Sequence, residues 1–203
     1  MGIVQSFNRP GGNATGVSLF NAVLTPKRLE LLRELVPTAA SVVLLINPKN
    51  PSTDTQVRDV QAAVQAGGLK VRVLNASTEA EIDGGYATLT ESRADALLVG
   101  ADPLFQTLRN QLVALAARHA IPSIYLNREF PLSGGLISYG IDFPDAYRQA
   151  GSYTGRVLKG EKPSDLPIVQ PTKFELVINL TTAKALGLTI SREFLLRADE
   201  VIE

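Results

Sequence analysis

The chain has 203 residues, with Lys+Arg and Asp+Glu balanced at 20 each, one histidine and no cysteine. Balanced charge removes a global pull toward nucleic acid or acidic lipid, and no basic run is interleaved with aromatic residues as a nucleic-acid-binding module would require. The missing cysteines rule out disulfides, thiolate catalysis and cysteine-based metal sites, and no apolar stretch nears the roughly 20 residues of a membrane span.

The opening, Met1-Gly2-Ile3-Val4-Gln5, has no basic region followed by an apolar core and does not read as a signal peptide. Residues 9–16 (RPGGNATG) are turn-rich and lead into a short strand at 17–19. Gly11-Gly12 lacks the GK[ST] ending of a phosphate loop and reads as a turn. Asn13-Ala14-Thr15 is formally a glycosylation triplet. Thr25-Pro26 opens a helix whose Leu29, Leu32 and Val36 face inward, and Pro37 ends it. The apolar run 42–46 (VVLLI) is expected to be a strand covered on both faces, and 71–74, 96–99 and 123–126 read the same way. Between these runs the spacing is helical. Val57, Val60 and Val64 share one helix face, closed by Gly67-Gly68. Thr78 and Glu81 form a capping box ahead of Ile82, Tyr86 and Leu89. Asp102-Pro103 opens one helix carrying Leu104, Leu108, Leu112 and Leu115 down one side.

After Asn127 the rhythm changes. Residues 130–135 are expected to be a loop, 136–139 a short strand, 142–158 a helix closed by Gly160, and 161–171 a connector rich in proline and charge. A strand of alternating polarity at 174–179, a short helix at 181–186 ended by Gly187, and an edge strand at 198–203 complete the chain. The alternation of strands and helices predicts an α/β fold: a Rossmann-like parallel sheet flanked by helices, with right-handed crossovers.

Three of the apolar runs stop at a polar cluster that opens a helix: Asn47-Pro48-Lys49-Asn50-Pro51-Ser52, Gly100-Ala101-Asp102-Pro103 and Gly140-Ile141-Asp142-Phe143-Pro144. Open parallel sheets bind ligands outside the carboxyl ends of their strands, so these clusters are the candidate site. Ser52 and Thr53 either cap the following helix or, in addition, meet a ligand beside its free N–H groups. Asp102 either caps its helix or pairs with a solute ammonium. Asn127 ends the fourth strand on the same edge, and Arg128 with Glu129 forms a candidate rim salt bridge. Tyr139 either stacks on a flat solute or packs in the core, and Asp142 follows it. His119 lies late in a helix, where a cation is favourable by itself. With no second histidine, cysteine pair or carboxylate at metal spacing, neither a metal site nor a catalytic set is expected.

An ordered set of segments carries a family resemblance. These are RPGGNATGVSLF (9–20), KRLELLRELVP (27–37), INPKNPST (46–53), LVGADPLF (98–105), ALAARHAIPSIY (114–125), GGLISYGIDF (134–143), the stretch from RVLKGEKPSD to TTAKALGL (156–188) and RADEVIE (197–203). Together they resemble the solute-binding component of ABC transporters, in the branch associated with tryptophan and other aromatic amino acids. The resemblance implies the type I periplasmic binding protein fold: two Rossmann-like lobes joined by three crossovers, with a small solute trapped between them. It implies no cofactor, a membrane permease as partner and a periplasmic location. It makes Asn47–Thr53 look like the loop that holds a solute carboxylate. It also implies that roughly a hundred residues, the scale of one lobe, precede the matched region in relatives. On this reading 24–135 with 172–203 form the C-terminal lobe, while 1–23 and 136–171 belong to the other lobe and the crossovers. The apolar faces of 17–20 and 143–158 would then lose their cover, and self-association through them is expected.

Two other functions use similar sheets. An effector-sensing domain of a transcriptional regulator would need a helix-turn-helix module, which the sequence does not show. An enzyme on a Rossmann-like sheet would need a nucleophile with its base, a metal cluster, or a glycine fingerprint where Asn47-Pro48 stands.

Overall fold

A computed structural model describes the chain apart from Met1, Gly2, Phe20, residues 65–67 and Ser92, and apart from the side chains of Thr90 and Glu91. Contacts divide the chain into two compact units, Asn21–Gly140 with Glu175–Glu203, and Met1–Phe20 with Ile141–Phe174. The backbone therefore crosses between units three times, at 20/21, 140/141 and 174/175.

The larger unit is built on a seven-stranded sheet of order β2-β1-β3-β4-β5-β6-β7. The strands are β1 (Ser41–Ile46), β2 (Lys70–Asn75), β3 (Ala96–Val99), β4 (Ser123–Tyr125), β5 (Ile137–Ile141), β6 (Phe174–Asn179) and β7 (Glu200–Ile202). β1 to β5 pair in parallel, as do β6 and β7. β6 runs against β5: Asp142 N–H bonds the Lys173 carbonyl at one end, and Asn179 N–H bonds the Leu136 carbonyl at the other. The sheet is thus mostly parallel, with a reversed pair at one edge.

Alternate side chains of the central strands enter two separate cores. Val42, Leu44 and Ile46 of β1 join Leu98 and Ile124 against α1 (Thr25–Leu35) and α2 (Thr53–Val64). Val43 and Leu45 join Leu97, Val99 and Tyr125 against α3 (Glu79–Glu91), where Ile82, Tyr86 and Leu89 are buried as the spacing predicts. Burial on both faces explains the continuous apolar runs of β1 and β3. β2 departs from that expectation. It is an edge strand with Lys70 and Arg72 exposed and Val73 38% exposed, charges that suit an open edge.

Gly68 takes a left-handed φ of 67° beyond α2, while Gly67 lies outside the described residues. Before α3, Glu81 N–H bonds Thr78 Oγ1, and the Glu81 carboxylate reaches back to Ser77 N–H, one residue earlier than in the expected box. The single helix expected after Pro103 is two, α4 (Pro103–Thr107) and α5 (Arg109–Arg118), with Leu108 between them. No Gly or Pro marks that break. Residues 130–135, expected to be a loop, begin inside a short helix, α6 (Glu129–Leu132), in which Pro131 needs no intrahelical donor. β6 is buried from Glu175 onward rather than alternating. Its polar residues have partners: Glu175 meets Arg128, and Asn179 Nδ2 donates to the Pro131 carbonyl at 3.0 Å. Asn179 also caps α8 (Leu180–Ala185), and α9 (Arg192–Leu195) follows.

The smaller unit holds α7 (Phe143–Leu158), capped by Asp142. Only Val17 of the expected strand at 17–19 pairs, in an isolated bridge to Val169, and Thr15 Oγ1 donates to the Leu166 carbonyl at 2.7 Å. Asp145 on the first turn of α7 ion-pairs with Arg148 and Lys173 and accepts from Gln149. Among the described residues of this unit the large buried apolar side chains are Ile141 and Leu166, whereas Tyr147 is 69% and Leu158 83% exposed.

Candidate functional site

The carboxyl ends of β1, β3 and β4 lie on one edge of the larger unit, and the loops that leave them are bound into a network. Asn50 is its centre. Its Oδ1 accepts from Ser52 N–H at 2.9 Å and Ser52 Oγ at 2.8 Å, a local turn of the kind Asn favours. Its Nδ2 donates to Asp102 Oδ2 at 2.6 Å. Asn47 Nδ2 donates to Asp102 Oδ1 at 3.3 Å, and Asn47 Oδ1 accepts from Lys49 N–H. Thr53 turns its hydroxyl inward to the Asn47 carbonyl.

Gln56, on the first turns of α2, closes the network from below. Its Oε1 accepts from Ala101 N–H at 2.7 Å, and its Nε2 donates to Ser52 Oγ and to the Ala101 carbonyl. Such proximity requires Gly100: a Cβ there would sit 2.8 Å from the Leu45 carbonyl oxygen and 3.2 Å from Gln56 Oε1. Asp102 caps α4 by accepting from Leu104 N–H at 2.7 Å. Its carboxylate thus holds three donors, and it is 7% exposed. Asn47, Asn50 and Ser52 remain half-buried, with their amide and hydroxyl groups bound into the network beside the N-terminus of α2. That terminus favours a negative group.

Asn127 lies two residues past β4 on the same edge and is 1% exposed. Its Nδ2 donates to Gln106 Oε1 at 2.5 Å, while its Oδ1 has no hydrogen-bond partner. Arg128 does not pair with Glu129. Its guanidinium binds Glu175 at 3.1 Å and also Glu200. Because β6 and β7 are reversed, their first residues reach the edge where β4 ends, a consequence of topology hidden from the linear sequence. Tyr139 is half-buried and packs against the core on the α1 side, and its carbonyl accepts from Arg28 Nε at 2.7 Å. Asp142 lies in the smaller unit, where its Oδ1 accepts from Asp145 N–H at 2.9 Å. The structure therefore gathers Asn47, Ser52, Thr53 and Asp102 into one network, with Asn127 along the same edge.

Asn50 lies inside an expected cluster without being singled out in it, and Gln56 and Gln106 lie outside the expected site residues. The Asn-x-Ser spacing at 50–52 and the four-residue step from Ser52 to Gln56 were the available signals. His119 is the C-cap of α5, its ring centroid 6.0 Å from that of Tyr86. Among the described residues no group of three or more metal-ligating side chains comes together. The larger unit also has a groove of about 1020 Å³ lined by Pro26, Glu30, Arg33, Pro37, Ala40 and Leu69 among others. It opens beside the amino ends of β1 and β2, opposite the network.

The sequence matches the model of the ABC transporter substrate-binding protein family over residues 1–202. The chain belongs to that family. Within this ABC substrate-binding family, the chain is 28% identical over 187 residues to the tyrosine-binding protein of Clostridioides difficile (strain R20291). That match takes in 92% of this chain and 53% of the relative, so the chain spans about half the length of that curated protein. Among solved structures it is similar to an ABC domain in complex with L-Trp from Streptococcus pneumonia, with a TM-score of 0.87 and 30% identity over 98% of this chain and 67% of that one. It is also similar to a ligand-free, open substrate-binding protein with adhesive properties from Clostridium difficile, with a TM-score of 0.69 and 25% identity over 99% and 66% of the two chains. Regulators of the LacI family share the fold at 13–19% identity.

Proposed function

We propose that this chain is the solute-holding part of an ABC importer's binding component, and that it takes a small amino-acid-like solute with an aromatic side chain at the edge formed by Asn47–Thr53, Asp102 and Asn127. One observation carries the reading: half-buried amides and a hydroxyl stand beside the α2 N-terminus, on the strand edge that also holds the unpartnered Oδ1 of the buried Asn127. The helix terminus and the Asn47–Ser52 loop suit a carboxylate. Asn127 Oδ1 suits an N–H donor of the solute, because a buried acceptor gains most when a donor arrives. Asp102 acts by bracing the loop, since its carboxylate already holds three donors. Tyr139 and Asp142 flank the second crossing between units and serve there as packing and capping residues first.

The relatives' names support an aromatic amino acid: one is a tyrosine-binding protein and another was solved with L-Trp. On the same reading 24–135 with 172–203 are one lobe of a type I periplasmic binding protein, and 1–23 with 136–171 belong to the second lobe and its crossovers. A membrane permease is the partner and the periplasm the compartment. A regulator's effector domain shares this fold, but the match over residues 1–202 is to the transporter family.

Calorimetry tests the proposal. L-tyrosine and L-tryptophan should bind this chain weakly, and a version extended by the length that relatives carry beyond the match should bind them more tightly. Equal affinity in the two versions, or preference for a neutral sugar, would contradict it.

A further inference from the structure

Arg28 is 0% exposed, and among the described residues it makes no ion pair. Its three hydrogen bonds all go to neutral acceptors: Nε to the Tyr139 carbonyl at 2.7 Å, Nη1 to the Asn21 carbonyl at 3.2 Å and Nη2 to Asn21 Oδ1 at 3.4 Å. Burial pushes its pKa down to about 9. A buried guanidinium without a carboxylate is costly, and the candidate site makes no use of it. The positions of its acceptors are informative. Asn21 is the first residue of the larger unit after the first crossing, and Tyr139 stands immediately before Gly140 at the second. The third crossing is fastened to the second by backbone, through the bond from Asp142 N–H to the Lys173 carbonyl. The first and second are fastened by the side chain of Arg28.

We propose that Arg28 is the positioning residue of the hinge, a planar fork that holds the first and second crossings together so that the chain leaves the larger unit at fixed places. The fork geometry suits the task, because guanidinium presents several donors in one plane and reaches two chain segments at once. The role rests on the reading of the chain as a two-lobed solute binder, since only such a molecule needs a hinge.

The test uses the full chain and no solute, so its failure is distinct from failure of the binding proposal. The sequence has no cysteine, so Val73→Cys and Leu158→Cys, both at exposed positions, give one clean dye pair, with one dye on each unit. Single-molecule energy transfer is compared in the parent, in Arg28→Met and in Asn21→Ala. Both variants should broaden the transfer distribution, Arg28→Met the more. Amide exchange at 139–142 should rise at least about tenfold in Arg28→Met, with Val43 and Leu97 in the central strands nearly unchanged. Arg28→Lys, which keeps the charge and part of the donor set, should recover part of the protection. Superimposable distributions, or exchange that rises equally in central strands and crossings, would overturn the proposal. Should Arg28→Met fail to fold, Asn21→Ala decides by the same two readouts, because it removes one acceptor and leaves the cation in place.

Discussion

Replacing Asp102 separates bracing from solute binding. In Asp102→Ala the α4 N-terminus loses its cap, a change worth about 1 kcal/mol, and the Asn47 and Asn50 amides lose their shared acceptor. Stranded donors cost about 1–3 kcal/mol each when water is excluded, and these two are half-buried, so the lower end applies. The sum for Asp102→Ala is about 2–3 kcal/mol, or a melting temperature lower by roughly 4–12 °C in a chain of this size. Asp102→Asn is more discriminating. If its oxygen keeps the cap on Leu104 N–H, its NH₂ meets the Asn50 NH₂ across a contact that is now 2.6 Å. If it turns over, its NH₂ meets Leu104 N–H instead. Asn50 cannot turn without losing both bonds from Ser52. One donor therefore faces another in either case, and the cost should be about 1–2 kcal/mol. Urea unfolding followed by far-UV circular dichroism measures both variants. Values within about 0.5 kcal/mol of the parent, the range of ordinary surface changes, would show that the carboxylate is not spent on the loop and would return it to the solute.

Other consequences are direct. A Cβ on Gly140 would lie 1.8 Å from the Leu126 carbonyl oxygen, a backbone atom of the neighbouring strand segment. Gly140→Ala should cost more than about 3 kcal/mol, and a thermal melt within about 2 °C of the parent would refute the close approach. In the smaller unit, hydrogen bonds from Arg148 and Gln149, together with Lys173, hold the Asp145 carboxyl down to about 2. Because its folded value is depressed, its contribution is complete above the ordinary value near 3.8 and is lost as pH falls from there through about 2. Asp145→Asn should abolish that part of the acid sensitivity of α7 in a dichroism titration, and an unchanged titration would contradict the assignment. Exposed Tyr147 and Leu158 should drive concentration-dependent self-association in sedimentation velocity. Lysine at both positions should suppress it, and a parent that stays monomeric at high concentration would refute the idea.

The central strands were legible because burial on both faces writes itself as an apolar run, and β1 and β3 obey that rule. β2 shows its limit: Val71 to Leu74 carries Arg72 inside the run, and that charge, which suits an edge strand, is the signal a reading by apolar runs passes over. The reversal of β6, and with it the pairing of Arg128 to Glu175 and Glu200, was invisible because it depends on strand order. Capping chemistry is local and so was readable at Asp102 and Thr78, whereas Asp142, expected at the site, caps α7 instead. The bracing by Gln56, which reaches across 45 residues to Ala101, was not readable. Arg28 shows the same contrast, since its helix was plain from Leu29 and Leu32 while its burial depends on Tyr139, 111 residues away.

Mapping amide chemical shifts during addition of L-tyrosine or L-tryptophan tests the central claim most directly, because it detects weak contacts and locates them. The account predicts that the largest shifts fall at Asn47–Thr53, Ala101–Leu104 and Asn127. Shifts centred instead on the groove beside Glu30, Arg33 and Leu69, or no localised shifts with any amino acid, would contradict it.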